Sequence, residues 1–156
     1  MPLFSEKTSP TILEPLPFAE WQLRPAWPAV SLSNTDPVED LAPHVGRLRL
    51  IVLNFPKFSD GRAYSQARLL RERMGYKGEL RASGGVLQDQ APHMLRCGFD
   101  SFDSEQKGFG EALARARTLF SVVYQPTEDG RVTASQLRRR HVPISSSEPS
   151  RSRATR

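Results

Sequence analysis

Apolar positions along the chain fall into short continuous runs, separated by stretches where apolar residues recur at helical spacing. The clearest run is "RLRLIVLNF" at 47–55, whose "LIVLNF" core is unbroken and rich in branched side chains. Such a run predicts a central parallel strand covered on both faces. Shorter runs at "AVSLS" (29–33), "ELRAS" (79–83) and "GFDSF" (98–102) predict three more strands. Between them, Val38, Leu41 and Val45 keep helical spacing after the turn at Asp36-Pro37. Ala63, Ala67, Leu70 and Met74 form one stripe of a helix over 61–74, flanked by Tyr64 and closed by Gly75 and Gly78. A third helix is expected near 87–96 with Leu87, Met94 and Leu95 inward, and Pro92 restricts it to a late or kinked start. A fourth spans 105–118, with Phe109, Ala112, Ala116 and Leu119 as its buried candidates. The run "LFSVVYQ" (119–125) reads as a last strand or a helix extension.

The resulting order is β-α-β-α-β-α-β-α with short loops, which implies an α/β fold of four βα units on a parallel sheet. Periodicity does not separate a small doubly wound sheet from half of a (βα)8 barrel. Three segments follow. Residues 1–28, interrupted by Pro10, Pro15, Pro17, Pro25 and Pro28, form a proline-rich irregular arm that Trp21 and Trp27 tack onto the core. Residues 29–126 form the α/β domain, and residues 127–156 a low-complexity basic tail without ordered structure.

Charge changes this picture little. The formal net charge is +5, and Arg138–Arg156 holds six arginines against one glutamate, so the excess resides in the tail. A neutral body argues against nucleic acid as the partner. Cys97 is the single cysteine of 156 residues, which excludes an intrachain disulfide and a multi-cysteine metal site. Buried beside a helix C-terminus, it reads as a small hydrophobe rather than a nucleophile. His44, His93 and His141 show no metal-ligand spacing. With no basic segment leading an apolar run and no stretch of membrane-spanning length, the expectation is a soluble, cytoplasmic chain without a membrane partner.

Candidate chemistry is read from topology, because ligands of parallel α/β folds sit beyond the carboxyl ends of the strands. That edge would gather Ser33, Asn34 and Asp36 after the first predicted strand, and Lys57, Ser59, Asp60, Gly61 and Arg62 after the second. Ser83, Gly84 and Gly85 follow the third strand, and Asp100, Ser101 and Asp103 the fourth. Lys57 and Arg62 beside a new helix start favour a bound anion. Asp60 either caps that helix, orients Arg62 or serves as a base. The glycine pair at 84–85 offers a phosphate cradle without matching a nucleotide-binding fingerprint. Arg68 and Glu72 form an i,i+4 pair, and with Arg71 they read as a solvated face. Asp100, framed by Phe99 and Phe102, is the second acidic candidate at the edge.

The stretch "FPKFSDGRAYSQARLLRERMGYKGELRASGGVLQDQ" with "RCGFDSF" resembles a bacterial family of unknown function, described as oxidoreductases involved in sulfite reduction. The similarity runs from about residue 20 to about residue 125. Asp60, Gly61, Arg62, Tyr64, Ser65, Arg68 and Arg71 match its first motif, and Asp89, Arg96, Gly98, Phe99, Asp100 and Phe102 its second. Ala63, Gly85 and Pro92 depart from it. The resemblance implies a context of sulfur assimilation, with sulfite reductase or another enzyme of that route as partner. It adds Tyr64, Ser65 and Arg68 to the ligand-binding set, and in an enzyme it would make Asp60, Arg62 and Asp100 the catalytic groups. It leaves the cofactor unknown, and the sequence shows no flavin, nicotinamide, haem or iron–sulfur motif. The expected role is an accessory protein of assimilatory sulfite reduction that binds a small oxyanion or phosphorylated ligand; a small enzyme or a docking subunit of the reductase is the alternative.

Overall fold

The computed structural model describes residues 2–5, 10–116, 118–119, 122–126 and 130–141. The strands are β1 (Leu3–Ser5), β2 (Leu16–Pro17), β3 (Ala29–Leu32), β4 (Leu50–Phe55), β5 (Glu79–Gly84) and β6 (Ser101–Asp103). The helices are α1 (Phe18–Leu23), α2 (Arg62–Arg68), α3 (Ala91–Arg96), α4 (Phe109–Ala116) and α5 (Ala134–His141), with 3-10 turns at Val38–His44 and Gln88–Gln90. The strands form one sheet in the order β1-β6-β5-β4-β3-β2. From β2 to β6 every neighbour is parallel, and β1 alone runs antiparallel, against β6.

This order answers the question left open by periodicity. From β2 to β6 it follows the chain without reversal, so the sheet lacks the switch point of a doubly wound fold and has the sequential order of a partial barrel. Alternation along the strands gives the two faces different characters. Val30, Leu32, Ile51, Leu53, Phe55, Leu80, Ala82 and Phe102 point into one continuous core with residues from α1 to α4. Each fully buried Leu or Phe there contributes about 2 kcal/mol. The opposite face carries Ala29, Leu50 and Val52, covered by Leu13, and then turns polar across β5 and β6.

Three expectations change. The described residues of the arm, 2–5 and 10–28, are part of the fold, because they supply β1, β2 and α1, and Trp21 is 2% exposed. Trp27 stays at the surface, where its indole N–H donates to the Glu14 carbonyl. The last strand of the core covers Ser101–Asp103 rather than 98–102. Residues 122–126 form no strand, only an isolated bridge from Val123 to Thr133, and α5 lies within the segment read as tail. The tail beyond residue 141 lies outside the described residues. Pro92 stands in the first turn of α3, where its missing N–H costs no helical bond.

Candidate functional site at the carboxyl edge of the sheet

The chain leaves β4 at Phe55 and turns through residues 56–61 into α2, and this turn is held by neighbours on both sides. Asp60 accepts a hydrogen bond from the Asn34 amide at 2.5 Å on one oxygen. On the other it accepts both the Arg62 main-chain N–H and the Arg62 Nε–H, each at 3.2 Å. Gln66 reaches back from α2 to donate to the Ser33 and Asp36 carbonyls. Asp36 in turn accepts the Ser33 N–H at 2.7 Å, closing the turn after β3. On the other side Gln90 donates to the Phe58 carbonyl. The three loops after β3, β4 and β5 are therefore bonded into one surface.

The glycine pair has a steric role in this surface. Gly84 has a φ of +90°, and a Cβ there would lie 2.5 Å from both the Asn54 Oδ1 and the Phe55 carbonyl oxygen. A Cβ on Gly85 would lie 2.9 Å from the Phe58 nitrogen. Only glycine lets the end of β5 pass this close under the β4 turn. The same pair lines a cleft of about 290 Å³ with Val86, Leu87, Ser104, Glu105 and Gln106, at the carboxyl ends of β5 and β6.

Lys57, Ser59, Asp60, Gly61 and Arg62 share this corner, as the sequence predicts, and Lys57, Phe58, Ser59 and Arg62 are exposed. The N-cap of α2 is Gly61 rather than Asp60; from the position before it, Asp60 accepts the N–H of Arg62 and orients its guanidinium at the same time. The other predicted residues go elsewhere. Tyr64 packs between Phe55 and His93, with ring centroids 5.2 and 4.7 Å away, and burial pushes its hydroxyl up to about 12. Ser65 and Arg68 lie further along the outer face of α2, where Arg68 pairs with Glu72 at 2.9 Å. Ser83 sits on the face opposite α1 to α4, 3.4 Å from an Asp103 carboxylate oxygen.

Asp100 is not at this edge. Because β6 begins at Ser101, Asp100 lies at the amino end of the sheet, level with Leu80, whose N–H it accepts at 2.9 Å. Its main partner is Arg71 at 2.6 Å. Roughly 13 Å of strand separates that level from the end of β5, so Asp100 and Asp60 do not form one catalytic pair. Arg71, read from sequence as solvated, is 8% exposed.

A chain of bonded polar side chains that sequence reasoning passed over is Glu79, Arg81 and Ser101 on the face opposite α1 to α4. Arg81 lies 2.8 Å from Glu79, which also accepts from the Ser101 hydroxyl at 2.5 Å. Two charges at alternate positions of a central strand were the available signal. Burial acts to raise the Glu79 carboxyl, but hydrogen bonds from Ser101, Thr11 and Arg81 outweigh it and hold the group below its ordinary value. Cys97, 2% exposed, has its thiol pushed up to about 11 by burial, which keeps it protonated and unreactive. Among the described residues no group of three or more His, Cys, Asp or Glu side chains is placed to hold a metal. Nor is any described helix long and apolar enough to cross a membrane.

The profile of a bacterial family described as "Bacterial protein of unknown function (DUF934)" matches residues 29–135, more than half of the chain. The chain belongs to the DUF934 family. The match opens at the first residue of β3, includes the whole carboxyl-edge corner, and ends within α5. The DUF934 region thus contains β3 to β6, whereas β1, β2 and α1 precede it. A comparison with curated proteins returns no match.

Proposed function

We propose that the Lys57–Arg62 turn binds a small oxyanion such as sulfite or sulfate, or the phosphate group of a larger ligand. The supporting observation is the state of Asp60. Both its oxygens are already engaged by Asn34 and Arg62, so the one carboxylate of the turn is neutralised from within. Arg62 gives up only its Nε–H to this bond and its side chain is 63% exposed. Its terminal nitrogens therefore remain for a planar or tetrahedral oxyanion, beside exposed Lys57. The sulfur context rests on the resemblance of residues 54–102 to proteins of sulfite reduction. In that context the chain acts as an accessory that holds or delivers the anion to a separate reductase. A self-contained acid/base site draws no support from Asp100, which faces Arg71 at the other end of the sheet.

Calorimetric titration with sulfite, sulfate and phosphate at low ionic strength tests this reading. Arg62→Ala should weaken any affinity at least tenfold, and raising the salt should weaken it in the unsubstituted protein, because exposed charges are screened. Unchanged affinity in Arg62→Ala removes the corner as the site. Growth of a deletion strain on sulfate, sulfite and cysteine tests the sulfur context separately; normal growth on all three removes it.

A further inference from the structure

A parallel sheet normally has helices on both faces and apolar side chains on both. Here α1 to α4 all pack on one face, and the middle of the other carries a charged pair. Glu79 and Arg81 are 3% and 12% exposed in their side chains, on the strand between β4 and β6. Keeping two charges out of water is expensive unless they have partners. Part of that partnership comes from one residue of a segment that is neither helix nor strand. The Thr11 N–H donates to Glu79 at 2.5 Å, and the Thr11 carbonyl accepts from Arg81 at 2.9 Å. In an antiparallel ladder two facing residues exchange both main-chain bonds. Here a carboxylate and a guanidinium take the place of the facing main chain. They hold the N–H and C=O of a single residue, and its hydroxyl also bonds to the Glu79 carboxylate.

Leu13 packs on Ala29, Leu50 and Val52, the Glu14 carbonyl accepts from Trp27, and Ile12 points outward at 97% exposure. Further towards the carboxyl edge the same face continues through exposed Asn54 and half-buried Ser83 to Asp103. Asp103 has a buried carboxylate oxygen without a hydrogen-bond partner. The Glu79–Arg81 pair lies inside the region matched by the family, while residues 10–14 precede it.

We propose that the face opposite α1 to α4 is a groove for an extended polypeptide segment of a partner protein, and that residues 10–14 occupy it in cis. Recognition reads the main chain and the hydroxyl of the bound residue through Glu79 and Arg81. The apolar floor of Ala29, Leu50 and Val52 selects a branched aliphatic residue two positions after the bound one. This site is separate from the anion corner and does not rest on it.

The probe is a fluorescent synthetic peptide of residues 9–15, "SPTILEP", added to the full-length protein and followed by anisotropy. In the variant Thr11→Pro with Leu13→Asp, the cis segment loses its N–H donor and its apolar anchor. That variant should bind the peptide at least tenfold more tightly than the unsubstituted chain, and adding Arg81→Met should abolish binding. Changing the peptide's isoleucine to serine should leave affinity unchanged, whereas changing its leucine to serine should weaken it at least tenfold. A folded variant that binds no better than the unsubstituted protein overturns the proposal and leaves a purely structural arm. Hydrogen exchange on the unsubstituted protein decides the matter if the variant fails to fold. The Thr11 amide must then exchange at least tenfold faster than those of Ile51 and Leu53 in β4. Exchange at the same rate means that the segment leaves only on global unfolding, and the groove does not exist.

Discussion

Arg71 is the residue whose environment departs furthest from its sequence appearance. It lies in a π-helical turn, Leu69–Arg73, that widens the end of α2 and swings this one arginine inward. Its Nε donates to the Gly98 carbonyl, one terminal nitrogen to the Tyr76 and Gly78 carbonyls, and the other to Asp100. Gly98, with a φ of +93°, leaves room for it, since a Cβ there would lie 2.6 Å from the Arg71 Cγ. Arg71→Met would take the guanidinium away from three carbonyls and from Asp100, which keeps the Leu80 N–H, and should cost about 3–5 kcal/mol in urea unfolding. Arg71→Lys should recover little of that, because an ammonium lacks the planar fork. Asp60→Ala, at a partly exposed turn, should cost only about 1 kcal/mol. An Arg71→Met midpoint no lower than that of Asp60→Ala would contradict this ranking. Helical spacing placed Arg71 on the polar side of α2, and a regular 3.6-residue turn would have kept it there. Asp100 was misplaced for a related reason: a strand boundary a few residues off carries a residue from one end of a sheet to the other.

At the scale of elements, packing between α2 and α3 makes stability depend on pH. His93 packs against Tyr64 with its ring tilted by 53°, and its Nε2 lies 3.7 Å from the Cys97 sulfur. Burial lowers its pKa below the ordinary 6.5, assisted by the charges of Arg96 and Arg68. The unfolded chain therefore takes up this proton more readily than the folded one, so stability is complete above pH 6.5 and is lost as pH falls through the folded value. The melting temperature should decline below pH 6.5, and His93→Phe, which keeps the packed ring, should flatten that part of the curve. An identical slope in the variant would remove His93 as the cause. Glu79 acts in the same direction further down. Its folded carboxyl lies below its ordinary value of 4.5, so its contribution persists to lower pH and disappears as pH falls through that folded value. Most elements between 29 and 116 were legible because their apolar spacing is regular. The arm was not, since β2 has two residues and α1 six, too few to show a period.

At the scale of the molecule, the sequential strand order explains why α1 to α4 share one face of the sheet. Connections that always advance in the same direction with the same hand return on the same side. The other face is left to a short segment and to polar side chains, which a sequence scan for parallel strands does not anticipate. The carboxyl-edge corner was legible because topology alone locates it, whereas its partners Asn34, Gln66 and Gln90 come from three different segments. No local pattern joins them.

The position of β1 has a consequence in time. Strands β2 to β6 each pair with the next strand made, so their contacts close short loops. The first strand of the chain instead pairs with the last of the sheet, Leu3 opposite Asp103. Closing a loop of that length costs more entropy than any other step in the sheet, and nothing repays it until β6 exists. Residues 3–5 must therefore wait, unpaired, while almost the whole domain is synthesised. In pulse-labelled refolding the amides of β1 should gain protection after those of β4 and β5, making β1 the last strand to join the sheet.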